Sequence, residues 1–230
     1  RRFMRWGTGS QRFSRPIRWL LALKGVDLIP VEIPGADPPV RSDRFSRGHR
    51  LHGDQPLPID TAEAYDDTLA AAGVIVDRQQ RAALIRSQLD ASADQLNGLP
   101  DCPESLFEEL VDLVESPRLL QGSIAERFLS LPPEVIITVM QAHQRYVPLK
   151  VPEVTPDPLQ LEATGVLQRD FLLVGNGLEA ADALITRGNE RVLAARLADA
   201  EFFLSVDRRQ PSSARREALD RVTFAEGLGS

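Results

Sequence analysis

The 230-residue chain has a single cysteine, Cys102. It can close no intrachain disulfide and build no cysteine-based zinc site, which excludes secreted disulfide scaffolds and zinc fingers and points to a reducing compartment. Long hydrophobic runs are also missing. The longest, Trp19 to Leu23 and Val135 to Met140, fall far short of the ~20 residues that cross a bilayer, so no membrane partner is expected. Phosphate-cradling glycine patterns are absent too. No Gly-x-x-x-x-Gly-Lys-Ser/Thr occurs, and Gly7-Thr8-Gly9 lacks the third glycine and the strand-to-helix setting of a dinucleotide site. His49-x-x-His52 is the one paired-histidine spacing and lies in a Gly-flanked loop. No metal is expected there, since three or four ligands must converge. Asp66-Asp67 and Glu108-Glu109 fall on polar helix faces, where solvation explains them better than acid–base chemistry.

What is present is the ordinary mixture of a folded domain, 43% hydrophobic and 26% charged. The net charge of -6 conceals an asymmetry. Residues 1–50 hold eleven Lys/Arg against four acids, a balance of +7, and the remaining 180 residues carry -13. Ten of those eleven cations are Arg, whose planar fork suits phosphate, carboxylate and base edges. Two readings stay open: an anionic partner such as RNA, or an arginine face paired with acids of the protein itself. The chain begins Arg1-Arg2-Phe3 and ends Gly227-Leu228-Gly229-Ser230, and is expected to be a piece of something longer.

Along the chain, Pro16 to Leu23 reads as a short helix or strand and Leu28 to Ile33 as a strand, followed by proline-rich loops and edge strands to residue 60. Asp60 or Thr61 caps a helix over Ala62 to Ala72 that Gly73 stops, and Asp77 caps the next, whose apolar repeat runs to Asn97-Gly98. Pro103 to Glu115 is a third helix. Glu134 to His143 is predicted helical, Arg145 to Val151 and Val166 to Val174 extended, with a Pro-rich hairpin loop between the two strands. Asn189 is predicted to cap a long final helix with Leu193, Leu197, Ala200 and Leu204 on its apolar stripe, widened by Phe202 and Phe203. The fold class is therefore α+β, a mixed, largely antiparallel sheet with packed helices, interrupted by a helical insertion. The expected divisions are 1–60 and 117–204 as the two halves of the α+β domain, 61–116 as the insertion, and 205–230 as a helical linker.

Four clusters combine polar specificity with an apolar frame: Arg15-Pro16-Ile17-Arg18-Trp19 with Met4-Arg5-Trp6 nearby; Ser46-Arg47-Gly48-His49-Arg50; Pro132 to Ile137 running to His143-Gln144-Arg145-Tyr146; and Gly188-Asn189-Glu190-Arg191 running to Phe203. In this colinear order they resemble the middle part of the beta subunit of bacterial-type heterotetrameric glycyl-tRNA synthetase, over nearly the whole chain. Ser46 in place of the usual Thr, Val147 after the Tyr, and a longer Pro-rich stretch at 151–168 depart from that pattern.

The resemblance implies a tRNA-binding and assembly region that is not itself catalytic, serving a glycine–tRNA ligase in the cytoplasm. Glycine activation, ATP and Mg would belong to the separate alpha subunit, and the fragment would need no cofactor. The implied partners are that alpha subunit, tRNA(Gly) and the remaining beta-subunit domains, among them an HD-type domain beyond residue 230. The fold would be similar to the editing-type domain of phenylalanyl-tRNA synthetase beta subunits, with hydrolysis of mischarged tRNA as the rival function.

Candidate contacts to RNA or to a neighbouring domain are Arg15, Arg18, Arg47, His49, Arg50, His143, Gln144, Arg145 and Tyr146. Gly48 would let the backbone approach a ligand. The competing structural reading pairs Arg47, His49 and Arg50 with Glu134 or Glu190, and sets His143 as a cap on helix-end carbonyls. Asn189, Glu190, Arg191, Arg196 and Asp199 are read as a structural network of i,i+3 and i,i+4 pairs along one helix. Trp6, Trp19 and Tyr146 could stack on exposed bases, with core packing the default for the two tryptophans.

Overall fold

Helix caps and apolar periodicity explain much of the local structure in a computed structural model of the chain, which describes residues 4–5, 12–13, 17–33, 39–154 and 162–219. The first elements are short: β1 (Met4–Arg5) pairs antiparallel with β2 (Arg12–Phe13), followed by β3 (Leu20–Leu21), β4 (Leu23–Lys24), β5 (Asp27–Leu28) and β6 (Glu32–Ile33). The predicted strand from Leu28 to Ile33 is thus broken in two, with Pro30, which has no N–H for a ladder, between the pieces. Next come β7 (Val40–Asp43), β8 (Phe45–Arg47) and β9 (Pro56–Pro58).

The helices begin and end where their punctuation lies. Thr61 accepts from the Ala64 N–H at 3.3 Å, capping a single 3-10 turn that leads into α1 (Tyr65–Ala71), and Gly73, at φ 78°, follows its end. The Asp77 carboxylate accepts from the Gln79 N–H at 2.6 Å at the start of α2 (Arg78–Leu96), and Asn97, at φ 45°, ends it. A two-residue strand, β10 (Leu99–Pro100), precedes α3 (Glu104–Leu113), where the Pro103 carbonyl accepts from the Leu106 and Phe107 N–H groups. Then follow β11 (Arg118–Ser123), α4 (Pro133–Thr138), β12 (Val147–Lys150), β13 (Leu167–Gly175), α5 (Asp182–Arg209) and α6 (Ser212–Leu219). Residues 155–161 of the Pro-rich loop between β12 and β13 lie outside the described residues.

The chain divides into two compact units: unit 1 takes residues 1–88, 108–118 and 175–179, and unit 2 takes 89–107, 119–174 and 180–230. In unit 1, β3 runs parallel to β7, β6 runs antiparallel to β7, β4 and β5 form a hairpin, and β8 pairs antiparallel with β9. Ile59, Leu69, Ile85, Leu110 and Val111 are among its buried apolar side chains. In unit 2, a sheet of order β10-β12-β13-β11 carries the larger core, whose centre is Phe171. The Phe171 ring stacks on Tyr146 with centroids 5.0 Å apart, and a Cβ at Gly122 would sit 2.5 Å from its Cζ. Glycine at 122 is therefore a packing requirement: β11 can pass under the ring only without a side chain there.

Two helix expectations need correction. After α4 the backbone widens into a π-helical segment over Val139–Gln144, closed by the Tyr146 N–H donating to the Met140 carbonyl at 2.9 Å and by Arg145 in the left-handed region (φ 60°). The final helix begins at Asp182, not Asn189. Gly188-Asn189 looks like a boundary, yet a helix interior tolerates one glycine at about 1 kcal/mol, and the Asn189 amide is used elsewhere. Phe202 and Phe203 do not widen the buried stripe either; both are exposed and pair edge to face at 5.6 Å. No described helix is long and apolar enough to cross a membrane.

Candidate nucleic-acid interface

The short strands of unit 1 bring cations and rings together. Because β3 lies parallel to β7, with Leu20 beside Ser42 and Leu21 beside Asp43, and β8 follows β7 after one residue, Arg18, Arg41 and Arg47 converge on one depression of about 390 Å³. Its wall includes Trp19, Asp43 and Phe45. Trp19 and Phe45 are each 44% exposed, so the core-packing default for Trp19 does not hold. A second depression, about 450 Å³ and lined by uncharged residues, shares Trp19, Leu20 and Ser46 with the first and adds Tyr65.

Each arginine here has a definite setting. The Arg47 guanidinium carbon stands 5.6 Å from the centroid of the Trp19 ring, a cation–π geometry. Its Nη1 also donates to the Asp54 carbonyl at 2.7 Å and to the Asp54 carboxylate. Arg41 Nε donates to Glu32 at 2.7 Å. Arg44 donates to the carbonyls of Asp60, at 3.2 Å, and Val26, so part of the +7 balance holds loops together. Arg18 and Arg50 are exposed, while Arg15 lies outside the described residues. An internal network exists, then, but its acids are Glu32 and Asp54 rather than Glu134 or Glu190.

His49 corrects the expectation of an RNA contact, because its side chain is only 2% exposed. Its Nδ1 accepts from the Leu51 N–H at 3.4 Å, capping the 3-10 turn Arg50–His52, and its Nε2 faces the Glu115 carboxylate at 3.7 Å. Glu115 is in turn held by Asn176, whose Oδ1 accepts from the Glu115 and Ser116 N–H groups at 3.2 and 3.0 Å. Gly48 likewise serves packing: a Cβ there would meet the Ala72 Cβ at 2.6 Å, and the neighbouring His49 N–H donates to the Ala72 carbonyl at 2.8 Å.

The unit 2 candidates sort differently. His143 is exposed, Gln144 is half-buried, and the helix-end carbonyls are capped by Arg145, whose Nη1 donates to Ala142 and, at 3.5 Å, to Gln141. Tyr146 is buried and cannot stack on a base; its hydroxyl donates to Asn189 Oδ1 at 2.5 Å, and burial pushes its pKa above the ordinary 10.0. Asn189 Nδ2 donates to the Ile185 carbonyl at 2.7 Å. The Glu190 carboxylate accepts from the Ser123 N–H at 2.8 Å. Arg191, Arg196 and Asp199 point outward. The helix-surface ion pairs expected between Glu190, Arg191, Arg196 and Asp199 are not formed among the described residues, where the helix bonds instead to β11 and Tyr146.

Sequence reasoning missed Asp54, Glu115 and Asn176. Only Asn176 had a local signal, the Gly175-Asn176-Gly177 turn, in which an Asn side chain readily takes backbone N–H groups. Among the described residues, no three His, Cys, Asp or Glu side chains cluster as a metal-ligand set.

Comparison with known proteins gives a consistent result. A family-wide profile described as glycyl-tRNA synthetase beta subunit matches residues 1–230. The glycine–tRNA ligase beta subunit of Gloeothece citriformis is 42% identical over 230 residues, covering 100% of this chain and 31% of that protein. That of Moorella thermoacetica is 42% identical over 229 residues, covering 99% and 30%. That of Bacillus subtilis is 39% identical over 227 residues, covering 99% and 31%. The chain thus spans less than a third of the length of these relatives.

Proposed function

The chain belongs to the glycyl-tRNA synthetase beta subunit family, and from that premise we propose that it forms a non-catalytic tRNA-binding and assembly region of a glycine–tRNA ligase. It supports the ATP-dependent attachment of glycine to tRNA(Gly) by the alpha subunit, in the cytoplasm, alongside the remaining beta-subunit domains. The observation that carries this reading is the unit 1 depression where Arg18, Arg41 and Arg47 meet exposed rings. Guanidinium groups make strong charge-assisted bonds to phosphate, and rings add stacking with bases. In this reading ATP and Mg are handled by the alpha subunit, in keeping with a sequence that carries no phosphate-cradling glycine loop. Kinship with the editing-type domain of phenylalanyl-tRNA synthetase beta subunits is part of the same reading, supported by the mixed build of sheet and helices, and fold kinship alone confers no activity.

The test is a filter-binding titration of intact ligase with tRNA over a salt series, comparing wild type with combined Arg18→Ala, Arg47→Ala and Arg50→Ala. Affinity should fall, and the slope of log K against log salt should shrink by roughly 0.7–0.9 for each phosphate that is no longer neutralised. Unchanged affinity and slope would remove the phosphate-binding role.

A further inference from the structure

Trp19 is the feature that tRNA binding through phosphates leaves unexplained. A surface built only for a duplex backbone needs cations, and a large ring left exposed among them adds apolar area without a partner. Here the ring is displayed and also fixed: Arg47 lies over it at 5.6 Å, and Asp54 holds Arg47. A side chain fixed beforehand loses less freedom when a ligand arrives, which favours binding. Trp19 is also the wall common to two depressions of different character. One has three arginines on its wall, Arg41 and Arg47 also paired with Glu32 and Asp54 beyond it; the other is lined by uncharged residues and includes Tyr65. A nucleotide has the same two-part chemistry, an anionic phosphate and a flat, mostly apolar base.

We propose that one unpaired nucleotide of the tRNA seats across Trp19, its base stacked on the indole within the uncharged depression and its phosphate turned toward Arg18, Arg41 and Arg47. This rests on the tRNA-binding reading and names what is recognised, a single-stranded or extruded nucleotide rather than a paired stem. Bases inside a duplex are stacked on one another and cannot lie on a protein ring, so recognition of this kind selects loops and ends. Phe45 supplies a second exposed ring at the arginine side, and Asp54 acts as a positioning residue through Arg47.

The experiment uses intact ligase carrying Trp19→Leu or Trp19→Phe. Trp19→Leu should weaken tRNA binding roughly tenfold, within the range of one base–ring stack. It should do so with the salt slope unchanged, because stacking releases no counterions, and Trp19→Phe should recover most of the affinity. Ultraviolet crosslinking of the wild-type ligase to tRNA should attach an unpaired nucleotide to the tryptic peptide Trp19–Lys24, which needs no variant to fold. Wild-type affinity in Trp19→Leu, or crosslinks from that peptide to paired positions only, overturns the proposal. So does dissociation of the subunits by Trp19→Leu, which would mark the surface as a protein contact. If the arginine variants still reduce the salt slope while Trp19→Leu has no effect, the nucleotide seat falls and the tRNA-binding reading stands. If the arginine variants also leave the slope intact, the broader reading falls with it.

Discussion

The rings at the sheet of unit 2, Phe128, Tyr146 and Phe171, are 1%, 4% and 0% exposed, and only Phe202 and Phe203, far along α5, lie open among the described Phe and Tyr rings of that unit, whereas the rings of Trp19 and Phe45 on the short strands of unit 1 are each 44% exposed. The difference between the sheet of unit 2 and the strands of unit 1 follows from the length of the strands. Unit 2 has a nine-residue strand, β13, in a four-stranded sheet, and a 28-residue helix whose Leu193 and Leu197 are fully buried. Such surfaces are broad enough to bury whole side chains. The strands of unit 1 are mostly two or three residues long, and so short a ladder holds a backbone path without forming a continuous apolar face. Besides its buried apolar side chains, unit 1 is fastened by arginines on carbonyls, by Gly48 against Ala72 and by the Asn176 amide on the Glu115–Ser116 backbone beside His49. Rigidity that comes from polar fasteners leaves rings and cations available at the surface, which suits a binding face.

If that contrast is right, deleting a ring should be most damaging in unit 2. Phe171→Ala should lower stability by about 3–5 kcal/mol, read from the urea midpoint; a drop under about 1 kcal/mol would show that Phe171 does not anchor this core. In unit 1 the sensitive point is a glycine. Gly48→Ala forces a Cβ into Ala72 and should lower stability by about 1–3 kcal/mol, with faster hydrogen exchange at the His49 N–H. Normal exchange there would mean that the segment yields without strain. The smallest effect belongs to the exposed cluster in which Arg78 donates to Asp112 at 2.8 Å and to Glu108 at 2.5 Å. These bonds hold the Asp112 carboxyl below its ordinary 3.8 and push the Arg78 guanidinium up from its ordinary value. Folded protein therefore binds fewer protons than unfolded protein in the acid range. The stabilisation is present above pH 3.8 and is lost as pH falls through the lowered value. Asp112→Asn should lower neutral stability slightly and flatten the acid limb by the same small amount, the two stabilities converging at low pH; an unflattened acid limb would show that the pair contributes nothing.

Legibility followed the range of the physics. Thr61, Asp77, Gly73 and Asn97 act within one turn of where they stand, and each marks its helix end as read from the chain. The helix read from the chain over Pro103 to Glu115 forms as α3, with Leu106, Leu110 and Val111 at helical spacing and buried, as is Val114 just past its end. Gly188-Asn189 misled because the same local pattern serves a helix start or, given a distant Tyr146, a helix interior. His49 and Tyr146 sit in polar clusters that look like a ligand-binding surface, and both are buried. Their partners Glu115 and Asn189 lie 66 and 43 residues away in the chain, a separation no local pattern encodes.

By itself the sequence determined the helix boundaries set by caps, the α+β composition, the excess of arginine in residues 1–50 and the family, since all of these are properties of neighbours in the chain or of residue order. Only the tertiary structure decided which of those arginines bind carbonyls and which line an open depression, that Trp19 faces outward and that His49 and Tyr146 face inward. Burial and convergence depend on packing between segments far apart in the chain, and so become definite only once those segments have come together.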